Sequence, residues 1–175
     1  MSIGERWRIM AGLRHESYDD ARRTPSIDKF DDAVLTYRGA IGFAGEVGHT
    51  TFDPDGPLCN CGNRGCWETF ASQRALMVRL SDAVTAGSKT SLPLANGSLG
   101  DITLADIVEA ARGGDSLVLR VLDEVGGYLG LVVANLINTF NPNMVVFGGA
   151  LSLADEFLLP PIQRVVAERA ISWAQ

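Results

Sequence analysis

Four soft metal ligands fall within a stretch of 18 residues, and they include every cysteine of the chain: His49, Cys59, Cys61 and Cys66. The spacing is His-x9-Cys-x-Cys-x4-Cys. Thiolates and an imidazole are the ligands that tetrahedral Zn²⁺ takes. A Cys-x-Cys pair reaches one ion only from an irregular backbone, which Asn60, Gly62 and Gly65 allow. Three thiolates and one imidazole complete a tetrahedron and leave no position for water, so the expected ion is structural rather than hydrolytic. The alternatives are three reduced thiols in a loop, or a disulfide with one thiol spare. Free cysteine favours burial, and a Gly-rich loop offers little of it.

Composition narrows the setting of this loop. Of the 175 residues, 46% are apolar, which is enough for a real core and argues against wholesale disorder. The net charge of −6 argues against a nucleic-acid grip, which needs a basic face. An odd, clustered set of three cysteines does not suit a secreted disulfide scaffold. Residues 1–20 are charged and lack the apolar stretch of a signal peptide. The most apolar segment, 126–140, is interrupted by Asn135 and Asn138 and is too short to span a bilayer. A cytoplasmic, reduced setting is expected.

Along the chain, residues 1–33 show no clear strand or long amphipathic helix, and 34–37 read as a short strand. Residues 39–66 read as an irregular loop region for which the cysteines would be the staple. Phe70, Leu76, Met77 and Leu80 predict a helix over about 69–85. Thr103 and Asp106 predict the capped start of a second helix, with an apolar stripe of Leu104, Ile107, Val108 and Ala111, ended by Gly113 and Gly114. Asp115 predicts the cap of a long, buried helix to Phe140. Gly126, Gly127 and Gly130 inside it predict close approach of another backbone. Asn141-Pro142 stops it. Residues 144–147 read as a buried parallel strand, and 154–171 as a helix broken at Pro160-Pro161. The order of elements suggests an α/β lobe.

Glu46 lies three residues before one candidate ligand and Glu68 two after another. Carboxylates accept several hydrogen bonds and a neutral imidazole donates or accepts, so Glu46, His49 and Glu68 together suit a sugar. Gly45-Glu46-Val47-Gly48-His49, followed by Cys59-x-Cys61-Gly62-x-x-Gly65-Cys66-x-Glu68, resembles the signature of the ROK family (repressors, open reading frames and sugar kinases). Gly42-Phe43-Ala44 and Asn141-Pro142…Val145-Val146-Phe147-Gly148-Gly149 add to it. The resemblance covers roughly residues 35–171. It implies an actin-like (ribonuclease H-like) ATPase fold, of which this chain would be the C-terminal lobe only, with a zinc-stapled loop region. It implies that Glu46, His49 and Glu68 contact sugar hydroxyls, His49 also ligating zinc through its other ring nitrogen. Gly148-Gly149 would lie where family kinases hold the adenine nucleotide. A tight turn also explains a diglycine after a strand.

Motifs that are absent shape the rest of the reading. Family kinases carry an Asp-x-Gly-Gly-Thr phosphate loop and an Asn-Asp pair whose aspartate acts as base, and neither occurs in this sequence. Family repressors carry a winged helix-turn-helix, and none is legible. Residues 1–34 read as a segment outside the family pattern, and 35–175 as a lobe truncated at its C-terminus. Cys66-Trp67-Glu68 and Thr69-Phe70-Ala71-Ser72 look more like the regulator branch. The expected function is the sugar-binding effector portion of a ROK transcriptional regulator, with no catalytic residue of its own. The alternative is a fragment of a ROK-type ATP-dependent hexokinase, for which ATP and Mg²⁺ would be cofactors of the parent. The expected partner is a hexose or N-acetylhexosamine, with no direct nucleic-acid or membrane contact and a homo-oligomeric state.

Overall fold

Asp115 starts the helix around which the other described helices are packed. A computed structural model describes residues 8–11, 45–95, 97–142 and 144–171. The elements are β1 (Arg8–Ala11), α1 (Gln73–Thr85), α2 (Leu104–Arg112), α3 (Ser116–Phe140), β2 (Met144–Phe147) and α4 (Asp155–Arg169). Short 3-10 turns at Val47–His49, Trp67–Thr69 and Ala150–Ala154 lie between them.

The start signals in the sequence act as expected. Thr103 and Asp106 form a reciprocal capping box for α2. Asp115 accepts the N–H groups of Leu117 and Val118, each at 3.0 Å, and opens α3. Its second oxygen takes the Thr90 and Ser91 hydroxyls at 2.7 and 2.9 Å and the Ser91 N–H. One buried carboxylate thus caps the central helix and clips the 87–92 connection to it. Ser72 caps α1, so the regular helix begins four residues later than the apolar pattern predicts. Thr69 and Phe70 belong to the preceding tight turn. At the far end Asn141 ends α3 in the left-handed region, with φ of 45°.

α3 is buried along most of its length, through Val118, Val121, Leu122, Val125 and Ile137. α1 covers it with Leu76 and Leu80, α2 with Ile107, and α4 with Leu158, Ile162 and Val166. Two of the three helix glycines serve the close approach expected of them. A Cβ at Gly126 would lie 2.4 Å from Pro161 Cγ, and one at Gly130 would lie 2.9 Å from the Ile162 carbonyl oxygen. Gly127 faces open space and has no such role.

Three expectations need correction. α4 runs unbroken from Asp155 to Arg169, with Pro160 and Pro161 inside it. Each lacks the N–H that would bond the carbonyl four residues back, a cost of about 3 kcal/mol in an isolated helix. Here Pro161 is buried in the notch that Gly126 leaves, and tertiary packing overrides the local preference. Second, residues 8–11 do form a strand, paired in parallel with β2 from Arg8↔Met144 to Ala11↔Phe147. Four residues are too few for a periodic signal, and the partner strand supplies the missing information. Third, β2 is parallel but not buried. Met144 and Val146 are 39% and 45% exposed, while Val145 and Phe147 pack against the core. The expected strand at 34–37 and the Gly42-Phe43-Ala44 motif lie outside the described residues. Among the described residues no helix is long and apolar enough to cross a membrane.

Candidate functional site

Glycine geometry shapes the loop that precedes α1. Gly45 and Gly62 have φ of +90° and +92°, which a side chain would strain. A tight turn closes between Cys59 and Asn63, with the Cys59 N–H donating to the Asn63 carbonyl at 2.8 Å and the Gly62 N–H to the Cys59 carbonyl at 3.0 Å. Antiparallel bridges pair Thr51 with Cys66 and Leu58 with Arg64. These bridges fold the loop back on itself, so residues distant in sequence share one small volume.

That volume holds the four expected ligands. One donor atom from each of His49, Cys59, Cys61 and Cys66 lies within 4.8 Å of all the others. Cys59 Sγ is 3.6 Å from His49 Nδ1, and Cys61 Sγ is 3.5 Å from Cys66 Sγ. Zn–S bonds of about 2.3 Å at tetrahedral angles place sulfurs about 3.8 Å apart, so this spacing fits one metal ion. Cys59 and Cys66 are buried, and Cys61 is exposed.

The thiols are not equivalent. The Cys61 N–H favours the Cys59 thiolate, but the Glu68 carboxylate, burial and the Cys61 and Cys66 thiols outweigh it and push Cys59 up to about 12. The Asn63 backbone N–H holds Cys61 below its ordinary value. Burial, followed by the Cys61 side chain, raises Cys66. A metal ion taken up by this set must displace the thiol protons, so uptake releases acid.

Glu68 is bound into the same cluster. Its Oε1 accepts the Cys59 thiol hydrogen at 2.9 Å and lies 3.7 Å from His49 Nδ1. The turn Val47–His49 lies against the turn Trp67–Thr69: a Cβ at Gly48 would stand 3.6 Å from the Glu68 Cβ. Glu46 precedes the first turn, is exposed, and makes no side-chain capping bond. A groove of about 370 Å³ opens beside Glu68, between Leu58 and Asn60 of the loop and Ser72, Arg74 and Val78 of α1.

Gly148 and Gly149 lie elsewhere, after β2. Gly149 has φ of +81° and leads into the turn Ala150–Ala154, whose Ser152 hydroxyl donates to the Gly149 carbonyl at 2.7 Å. Gly148 lines a cavity of about 410 Å³ with Trp67, Leu129, Val133, Phe147 and Leu151. Gly149 therefore answers the tight-turn explanation. Sequence reasoning missed the ring cluster that seats the loop: Phe52, Phe70 and Tyr128 meet with centroids 5.3–5.6 Å apart. Two of these rings belong to the loop and its exit and one to α3, a juxtaposition that no periodic pattern encodes.

The elements define an α/β lobe in which a loop whose His and Cys donors are spaced to hold one metal ion, with carboxylates at both flanks, is seated on a long buried helix. Residues 34–175 match the ROK family, and the chain belongs to that family. It is 40% identical over 134 residues to the xylose repressor of Caldicellulosiruptor bescii, covering 77% of this chain and 33% of that protein. It is equally 40% identical, over 127 residues, to the glucokinase of Halalkalibacterium halodurans, covering 72% and 38%. Among solved structures, a ROK family transcriptional regulator homologous to the Escherichia coli MLC protein superposes with a TM-score of 0.69 at 35% identity, over 79% of this chain and 34% of that one. The ROK family glucokinase of Streptomyces griseus, in complex with glucose and AMPPNP, gives 0.69 at 36% identity, over 78% and 45%. The fold expected from the motifs, that of ROK regulators and sugar kinases, is the one these neighbours share. The chain spans about a third of the length of the curated relatives it matches.

Proposed function

We propose that this chain is the sugar-binding, effector-sensing part of a ROK transcriptional regulator. Residues 35–175 carry the ROK motifs, residues 1–34 lie outside the family pattern, and within them Arg8–Ala11 pairs with β2 of the lobe. His49, Cys59, Cys61 and Cys66 hold a structural Zn²⁺. When bound, that ion supplies a fixed anchor for the loop and no reacting group. Glu46, His49 and Glu68 then read the hydroxyls of a hexose or N-acetylhexosamine. With Nδ1 turned toward the thiols, the other ring nitrogen of His49 is left for the sugar. Were the four ligands to hold the ion as thiolates and imidazole, Cys59 would no longer donate to Glu68, and both Glu68 oxygens would be available to hydroxyl donors. The observation that carries the reading is this position of Glu68, bonded into the metal cluster and open to a groove.

The chain acts in the cytoplasm as a homo-oligomer, and this segment contacts neither nucleic acid nor membrane. Calorimetry of the zinc-loaded protein against a panel of hexoses and N-acetylhexosamines tests the reading. One sugar should bind, and Glu68→Gln should weaken it about tenfold or more, as loss of a charged hydrogen-bond partner does. Failure of every sugar to bind would sink the proposal.

The equal likeness to a glucokinase motivates a second reading, a portion of an ATP-dependent sugar kinase with nucleotide near Gly148 and Gly149. Phosphoryl transfer needs a base and a phosphate cradle, and this sequence holds neither Asn-Asp nor Asp-x-Gly-Gly-Thr. A coupled ADP-release assay separates the two readings. We expect no sugar-dependent turnover from these 175 residues, and measurable turnover would favour the kinase.

A further inference from the structure

Trp67 stands between a metal-ligating residue, Cys66, and the carboxylate-bearing Glu68, yet its indole reaches away from both. The ring N–H donates to the backbone carbonyl of Tyr128 at 3.0 Å, a bond between residues 61 positions apart in sequence. Tyr128 lies in the middle of α3. A helical carbonyl has a second lone pair, so the indole adds a bond without breaking the helix ladder. On the other side, the Trp67 backbone N–H donates to the Thr50 carbonyl at 2.9 Å, next to the His49 turn.

The indole is half-buried against the core. It borders a cavity of about 200 Å³, with Thr51, Phe52, Val132 and Asn135, and also the cavity of about 410 Å³ against Leu129 and Val133. The loop bears on α3 through this indole hydrogen bond and through the Phe52–Phe70–Tyr128 rings. Arg79 sits 5.1 Å from the Tyr128 ring centroid and pairs with Glu124 of α3 at 3.0 Å, which fixes the far face of that ring. α3 is in turn keyed to α4 at Gly126 and Gly130.

We infer that Trp67 is a positioning residue that couples metal occupancy of the loop to the middle of α3, and through α3 to α4. The inference rests on the metal reading of the loop and needs no sugar. Fixing Cys66 and His49 on one ion fixes the backbone on both sides of the Thr50–Trp67 bond. The indole then has one direction in which to point, and α3 receives that constraint at a single carbonyl. Trp67→Phe keeps an aromatic ring and removes the donor together with part of the indole's volume. Tyr128→Phe keeps both the ring and the accepting carbonyl.

Hydrogen exchange of residues 125–133, measured on the full chain with and without Zn²⁺, tests the inference. In the wild type, Zn²⁺ should slow exchange there about fivefold, the effect of one hydrogen bond of ordinary net worth. Trp67→Phe should bind the same amount of Zn²⁺ and lose that protection, while Tyr128→Phe should keep it. Equal protection in Trp67→Phe, or no zinc effect on α3 in the wild type, would overturn the coupling. If Trp67→Phe fails to fold, the indole N–H resonance of Trp67 in the wild type decides. Its exchange should slow on Zn²⁺ addition, and an unchanged rate would count against the inference. A protein that shows the coupling but binds no sugar would refute the sugar reading and leave the role of Trp67 standing.

Discussion

Gly65 shows how little freedom the loop has. Its φ is +62°, and a Cβ there would fall 1.4 Å from the Asp53 carbonyl oxygen. Its N–H donates to the Pro57 carbonyl at 2.8 Å, and its carbonyl accepts the Phe52 N–H at 2.7 Å. Gly65→Ala must therefore break the Thr51↔Cys66 bridge region or shift Asp53, and it should cost about 3 kcal/mol by left-handed strain and overpacking together. Thermal unfolding of the zinc-loaded variant checks this, and a melting temperature equal to wild type would contradict the described loop. Gly62→Ala is the contrast. Its φ is +92°, but nothing stands within 4 Å of the added Cβ. It should cost only the backbone strain, about 1 kcal/mol.

At the scale of elements, the two buried-helix junctions carry most of what can be tested. Burial alone would raise the Asp115 carboxyl, but the N–H groups of Ser91 and Val118 and the hydroxyls of Thr90 and Ser91 outweigh it and bring it down to about 2. A depressed folded value means a contribution to stability that is fully present above the ordinary value of 3.8 and is lost as pH falls through about 2. The shift corresponds to about 2 kcal/mol. Denaturant titrations between pH 5 and pH 2 should show this acid loss (roughly that window follows from the two values), and Asp115→Asn should flatten it. At the α3–α4 junction, Gly126→Ala drives a Cβ to 2.4 Å from Pro161 Cγ. It should destabilise by about 1–3 kcal/mol as an overpacked contact, despite the better helix propensity of alanine. A stabilised variant would show that the junction is looser than described.

Across the whole molecule, legibility followed the range of the interaction that decides each feature. Thr103, Asp106 and Asp115 announce helix starts because a cap is satisfied within three residues, and the structure places all three as read. The candidate metal site is legible for a related reason. Its four ligands recur at a short spacing, although only the bridges at Thr51 and Leu58 bring their donor atoms together. Features set by distant partners were misread. Pro160 and Pro161 look like a break until Gly126 is seen opposite them, and residues 8–11 look featureless until β2 is seen beside them. The Trp67–Tyr128 bond joins residues 61 apart and leaves no local trace. Membership of the ROK family is carried by the same local motifs, whereas regulator and kinase relatives match this lobe at equal identity.

In the proposed reading, one metal ion and one sugar share a single loop, with the ion setting the carboxylates that read the sugar. The most direct measurement combines metal analysis with sugar calorimetry on the wild type and Cys61→Ser. The wild type should carry about one Zn²⁺, since four protein ligands complete one tetrahedral site, and should bind a hexose or N-acetylhexosamine. Cys61→Ser should lose the ion and the sugar affinity together. A variant that has lost its zinc but binds the sugar as tightly as the wild type would contradict the account.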